Sequence, residues 1–325
     1  MKIPRRTILR LAAGAAALPA MSRLASAQAY PSRPVRLIVG FPPGGVTDIT
    51  ARLIAPRLSE RLGQQFVVEN RPGASANLAA AAVARAAPDG YTLLLVSASN
   101  AYNVTLYDKL SFDLLRDFAP VASIGHDSFV MVVNPSFPAK TVAEFIAYAK
   151  ANPGKINMAT SGKGASSDLY GALFRTMADV DLVVVHYRGV GPALPDLLAG
   201  RVDVIFLPVA TAIANVKAGK LRALGVTSPT RQPVLPDVPA IGEFLKGYED
   251  AGWEGIAAPA HTPSEVVAIL NKQVNAILAE PEFRARLVDL GSEPFASPPA
   301  EFGKFIAAYT DKWAKVIRAA GIRAE

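Results

Sequence analysis

Short apolar runs alternate with helical patterns along most of this chain, and no other feature restricts its fold as much. Residues 35–41 form a nearly continuous apolar run, broken by Arg36 and Gly40, the pattern of a strand buried on both faces. Ile49, Leu53, Ile54, Leu58 and Leu62 follow at helical spacing, and Gly63 stops that helix. Residues 65–69 predict a second strand, 77–87 an alanine-rich helix ending at Pro88-Asp89-Gly90, and 92–97 a third strand. Strand, helix, strand, helix, strand predicts a right-handed βαβαβ unit with a parallel sheet. A second alternating set follows. It holds strands at 129–133, 156–160, 182–186, 202–206 and 221–226, a helix capped by Thr141 and Glu144, a helix from Ser166 and another near 193–199. Residues 253–258 read as a return crossing, and 264–290 and 301–320 as helices. The expected fold class is α/β in two lobes: residues 28–130 with 250–325, and residues 131–249. Two hinge crossings join them, with a ligand cleft between the lobes.

Residues 1–27 stand apart from this pattern. They have a basic start, an apolar middle and a small-residue end, and Ala25-Ser26-Ala27 fits a signal-peptidase site. Arg5-Arg6 followed by Thr7-Ile8-Leu9-Arg10 reads as a twin-arginine export signal, although Sec signals also carry Arg-Arg. The apolar stretch from Leu11 to Ala20 is about half the roughly 20 residues a spanning helix needs. Cleavage after Ala27 would remove Lys2, Arg5, Arg6, Arg10 and Arg23 and no acid, so the formal net charge falls from +7 to +2. The basic balance is therefore an export feature and gives no reason to expect a nucleic-acid partner. With no cysteine in the chain, disulfides and thiol chemistry are excluded. The expectation is an exported, periplasmic protein.

In an open α/β sheet, ligands bind beyond the carboxyl ends of strands. Five segments fall at such ends: 41–48, 97–103, 160–168, 187–192 and 206–211. They are rich in Gly, Pro, Ser, Thr, Asn and Tyr and poor in charge. In the first, Phe41, Pro43, Gly44, Gly45, Thr47 and Asp48 lead from strand to helix. Glycines there let the backbone approach a ligand, and Thr47 is read as the N-cap. Free first-turn N–H groups then make an anion site without a cationic side chain. Asp48 precedes Arg52 by four residues, which favours an intrahelical pair over ligand contact. Ser97, Ser99 and Asn100 offer further donors, as do Thr160, Ser161, Gly164, Ser166 and Ser167 beside Asp168. Neither a Walker A loop nor GxGxxG is formed by 159–167, so the nucleotide signal there is weak, and small hydroxyls and amides suit a carboxylate equally well.

Enzyme signatures are poor. The three histidines, His126, His186 and His261, form no HExxH or other metal spacing, and Gly73-Ala74-Ser75-Ala76 continues into Asn77 rather than the glycine of a nucleophile elbow. No metal or cofactor is expected, nor catalysis, although an enzyme of hydrolase or transferase type would use the same cleft. Tyr187, Arg188, Gly189, Phe206 and Leu207 are candidate ligand contacts from the second lobe. Arg188 is placed either to clamp a distal carboxylate or to pin Asp168 or another acid.

The motifs FPPGGVTDITAR, ENRPGA, APDGYTLL, TSGKGASS, YRGVGPALPDLLAGRVD, KAGKLRALGVTS, LPDVPAIGE and AAPAHTP occur in this order. Together they resemble the Bug receptors of tripartite tricarboxylate transporters (the TctC-like family) over essentially the whole mature chain. The resemblance implies a type II periplasmic-binding-protein fold and a carboxylate ligand: a di- or tricarboxylate, an acidic amino acid or an aromatic acid. It also implies delivery to a membrane permease; the alternative reading is a ligand-sensing receptor whose closed form docks on a membrane sensor kinase. Asp168 stands where the family usually has histidine; this favours a ligand that also bears an amine, unless Arg188 pairs with the acid.

Overall fold

The computed structural model describes residues 30–323; the expected export signal and its cleavage point lie outside the described residues. The first strand, β1 (Val35–Val39), leads into α1 (Val46–Leu62), which ends as expected at Gly63, in the left-handed conformation with φ 71°. β2 (Phe66–Asn70), α2 (Asn77–Ala84) and β3 (Thr92–Ser97) complete the expected βαβαβ unit, with β2 and β3 both parallel to β1. The 97–103 segment is not a loop. α3 (Ala98–Leu106) starts directly after β3.

A strand absent from the sequence expectation, β4 (Phe118–Asp127), then runs to the edge of the second lobe. The second sheet takes β5 (Phe129–Val133), β6 (Asn157–Thr160), β7 (Val183–His186), β8 (Val204–Pro208) and β9 (Arg222–Val226). Its order is β7-β6-β8-β5-β9. Between these strands lie α4 (Val142–Ala151), α5 (Ser166–Ala178), α6 (Val190–Leu198) and α7 (Val209–Lys217). Thr141 caps α4 by accepting the Glu144 N–H at 3.1 Å.

The chain returns as β10 (Gly252–Pro259), which inserts antiparallel between β3 and β4. With β11 (Ser292–Pro294) the first sheet reads β11-β4-β10-β3-β1-β2. The expected helix at 264–290 is two helices, α8 (Ser264–Leu278) and α9 (Pro281–Asp289), because Pro281 cannot continue the first. The last helix is α10 (Pro299–Ala319). The chain thus crosses between sheets twice, through Ser128 and through residues 227–251.

α1, α8 and α9 cover one face of the first sheet, burying Leu37, Ile54, Leu58, Ile256 and Val274. Each such side chain contributes about 1.5–3 kcal/mol on leaving water. The other face belongs to a core that passes through Tyr102, Trp313 and Tyr170 to Phe174 on α5 and Phe206 on the second sheet. A polar knot holds this passage. Tyr309 donates to Asp250 Oδ2 at 2.8 Å, Trp313 Nε1 donates to Oδ1 at 3.2 Å and Lys312 donates to Oδ1 at 2.9 Å. The outcome is an α/β fold of two sheets with the ligand-sized space between them. No helix among the described residues is long and apolar enough to cross a membrane.

Candidate functional site

Five helices start at the cleft between the sheets. A cavity of about 740 Å³ is lined by Gly45 and Val46 at the start of α1, Ala98 and Ser99 of α3, Ser166 of α5, Val190 and Gly191 of α6, and Pro208 before α7. A smaller cavity of about 180 Å³ adjoins it, sharing Phe41, Ser99, Phe129, Ser166, Val190 and Pro208. α1, α5, α6 and α7 have no side-chain cap at their N-caps Gly45, Ala165, Gly189 and Pro208. Their first-turn N–H groups carry partial positive charge toward this space. Neither cavity is lined by a lysine, arginine or histidine.

Thr47 is not the N-cap. Gly45 takes that position, with φ −76° and ψ 165°, and Thr47 lies in the first turn. The helix can do without a capping hydroxyl because the loop is held from below. Asp48 is buried and accepts the Gly44 N–H at 2.9 Å, Arg52 Nε at 3.0 Å and Asn70 Nδ2 at 2.8 Å. Burial opposes its charge, but the Arg52, Gly44 and Asn70 hydrogen bonds outweigh burial and hold the carboxyl below its ordinary range. Asn70 also donates to the Phe41 carbonyl at 3.0 Å, so the end of β2 fixes both ends of the loop. Gly44 has φ 84°, a conformation that favours glycine.

The second lobe repeats the device. Gly164, with φ 72°, donates its N–H to Asp168 Oδ2 at 2.9 Å. The Ser167 hydroxyl accepts the Ser161 N–H at 2.7 Å. Burial pushes the Asp168 carboxyl up, offset in part by the Gly164 N–H and by the charges of His186, Arg175 and Lys163.

Among the residues expected at the site, Phe41, Pro43, Gly44, Gly45, Thr47, Ser97, Ser99 and Ser166 line the large cavity. Ser161, Gly164, Ser167 and Phe206 line the small one. The remainder are not brought there. Leu207 alternates with Phe206 along β8 and lies in the core against α6 and α7, as strand geometry requires. Asp168 opens into a separate cavity with Lys163, Arg175 and His186. Thr160 is buried, 2.8 Å from His186 Nδ1, and His186 stands 3.9 Å from Asp168 Oδ1. Arg188 therefore does not pin Asp168; it is exposed and has no ion pair among the described residues. Tyr187 donates to Asp196 at 2.8 Å, and the Gly189 N–H donates to the Ser161 carbonyl at 3.0 Å. Asn100 is buried and accepts the Ser97 N–H at 3.0 Å.

Other lining residues escaped the sequence reading. Asp127, Phe129, Trp253 and Glu254 come from the two crossings, and Ser75 and Asn103 from the edge of the first lobe. Asn103 Nδ2 donates to the Ser75 carbonyl at 2.7 Å and to Asn77 Oδ1 at 2.8 Å. Thus Asn103 holds residues 74–76, which take positive φ without glycine. Burial pushes the Glu254 carboxyl up, against the hydroxyls of Thr50 and Thr47. Burial and then the Glu254 charge push Asp127 far up, with the Ser292 hydroxyl opposing.

Two sheets with helix N-termini aimed into a shared cleft define the class of two-lobed solute-binding proteins. The chain belongs to the family described as "Tripartite tricarboxylate transporter family receptor", whose pattern matches residues 50–322. It is 38% identical over 291 residues to the "UPF0065 protein in tcbD-tcbE intergenic region" of Pseudomonas sp. (strain P51), covering 89% of this chain and 87% of that protein. The structure described as "R. palustris Rpa4515 with adipate" superimposes with a TM-score of 0.82 at 37% identity, covering 90% of this chain and 99% of that one. MatC from Rhodopseudomonas palustris with bound malate gives a TM-score of 0.77 at 34% identity, covering 89% and 100%.

Proposed function

We propose that this protein is an exported receptor that holds a small carboxylate between its lobes and presents it to a tripartite tricarboxylate-type permease. One observation carries the reading. Uncapped helix N-termini converge on a cavity whose lining holds no cationic side chain. Such a site binds an anion by amide N–H groups and helix dipoles alone. Its volume, about 740 Å³, suits a small organic acid with bridging waters. Adipate and malate in the two R. palustris structures support the same ligand class. In this reading Gly45, Thr47, Ser99, Ser166 and the Ser161 hydroxyl hold one ligand carboxylate, the Gly44 and Ser161 N–H groups being held by Asp48 and Ser167, and Phe206 bounds the small cavity beside it.

The lobes are those expected from the sequence, 28–130 with 250–325 and 131–249, with Phe129 and Val130 moved to lobe 2 because β5 belongs to the second sheet. The crossings through Ser128 and 227–251 are the hinge, and closure over the ligand is the state the permease recognises. The export signal is cleaved after Ala27, the route is the twin-arginine one, and the protein works in the periplasm. It releases its cargo unchanged and is not an enzyme.

The test is a thermal-shift screen of residues 28–325 against mono-, di- and tricarboxylates and their neutral amides. A ligand at about 100 times its Kd is expected to add about 2.7 kcal/mol, a rise of several degrees. Stabilisation by an acid and not by its amide supports the reading. Equal response to both, or turnover of the acid, overturns it.

A further inference from the structure

Asp127 and Glu254 share one face of the first sheet. In the antiparallel β4–β10 pair, Gly252 lies opposite Asp127 and Glu254 opposite Gly125, which makes the two acids diagonal neighbours. On the other edge of β10, Glu254 lies opposite Ser97 of β3. All three residues line the large cavity. Glu254 is 3% exposed and its Oε2 has no hydrogen-bond partner; Ser97 is 6% exposed and its Oγ has none either. Two acceptors are therefore buried at the wall of a cavity otherwise furnished with N–H donors.

No side-chain cation of the described residues meets this pair. On α1, Arg52 is bound to Asp48, and the groups nearest Glu254 are the Thr47 and Thr50 hydroxyls. From β11, Ser292 bonds to Asp127. His126, Glu293, Asp250 and Lys312 open into a different cavity, behind the sheet. Arg188, on the facing lobe, is exposed and does not line the cleft. A ligand bearing only carboxylates would satisfy the helix amides and leave Glu254 Oε2 unpaired or facing like charge, which is costly in a buried site.

We propose that the cargo is a carboxylate that also carries an ammonium group, of the amino-acid class, with the ammonium donating to Glu254, Asp127 and Ser97 Oγ. This inference rests on the receptor reading and narrows its ligand class. It has a signature in proton balance. Burial raises both carboxyls and the Glu254 charge raises Asp127 further, so a proton held by the empty pair is displaced by an ammonium, and binding releases it. A ligand without the amine leaves the proton in place or takes up another.

The experiment is calorimetry on residues 28–325 with matched pairs: L-aspartate and succinate, L-glutamate and glutarate, 4-aminobutyrate and butyrate. Each titration is run in two buffers of different ionisation enthalpy. In at least one pair the amine-bearing member should bind tenfold or more tightly than its partner, with proton release. Glu254→Gln should remove most of that preference, and Asp127→Asn should weaken it in the same direction. Amine-free members binding as tightly in every pair, proton uptake on binding, or a ratio unchanged in both variants would overturn the proposal. Binding of an amine-free carboxylate with none of the amine-bearing three would defeat this inference and leave the receptor reading standing. No binding by any carboxylate would defeat both.

Discussion

Asp48 and Asp168 occupy equivalent places in the two lobes: each is the third residue of its helix, and each accepts the N–H of the glycine four residues before it at 2.9 Å. Their carboxyls are shifted in opposite directions, Asp48 down and Asp168 up. Burial dominates at Asp168, whereas at Asp48 the bonds from Arg52, Gly44 and Asn70 overcome it. Asp48 therefore contributes stability that is present above its unfolded-state pKa and is lost as pH falls through the lower folded value. At Asp168 the sign reverses, and stability declines as pH rises from the unfolded value toward the raised one. Asp48→Asn should lower stability by about 1–3 kcal/mol at pH 7 and flatten the loss below about pH 4. Asp168→Asn should leave neutral stability within about 1 kcal/mol and reduce the decline that sets in as pH rises above about 4. Urea titrations across pH 3–8 measure both.

Asn70 bonds both the Phe41 carbonyl and Asp48 through its Nδ2, and its Oδ1 accepts Arg52 Nη2 at 3.0 Å. Asn70→Ala is expected to cost about 1–2 kcal/mol and to weaken carboxylate binding at least tenfold, by releasing the 41–48 loop. Arg52→Ala, which removes one partner of Asp48 on an exposed surface, should weaken binding less. Calorimetry on the two variants ranks them; the reverse order would mean that the ion pair, not the amide, sets the loop.

A side chain at position 40 has nowhere to go. The Cβ of an alanine there would run into Ala76 Cβ and lie 2.7 Å from its Cα. Gly40→Ala should destabilise by about 1–3 kcal/mol, seen as a lower urea midpoint with unchanged slope. At Gly44 the space is open but φ is 84°, so Gly44→Ala should cost about 1–2 kcal/mol through the backbone alone.

Neighbours on β8 should separate stability from binding. Leu207→Ala empties core space against α6 and α7 and should cost about 2–5 kcal/mol, leaving the Kd of the folded protein nearly unchanged. Phe206 lines the small cavity, so Phe206→Ala should also shift preference toward longer acids. A large change in Kd with Leu207→Ala would contradict the strand alternation.

Most of the fold was legible because strand and helix periods alternate with clear stops at Gly63 and Pro88. β4 was not, since Pro120, Ser123 and Gly125 interrupt its apolar pattern and its partner β10 lies more than 120 residues away. The amide-rich loops were readable because small residues at strand ends have one main use. Asp127 and Glu254 were not. Each looks incidental in its own strand, and only the antiparallel insertion of β10 makes them neighbours. The orientation of Leu207 and the company of Asp168 depended on which way a strand and a helix face, which spacing within one segment does not determine.

The same insertion sets an order of events during synthesis. Every strand of the second sheet lies between residues 129 and 226, so that sheet can close as soon as β9 has left the ribosome. The first sheet, begun earlier, stays split between β3 and β4 until residues 252–259 emerge. A nascent chain paused near residue 250 would present two open strand edges, and it is in this interval that a holding chaperone has the most to protect.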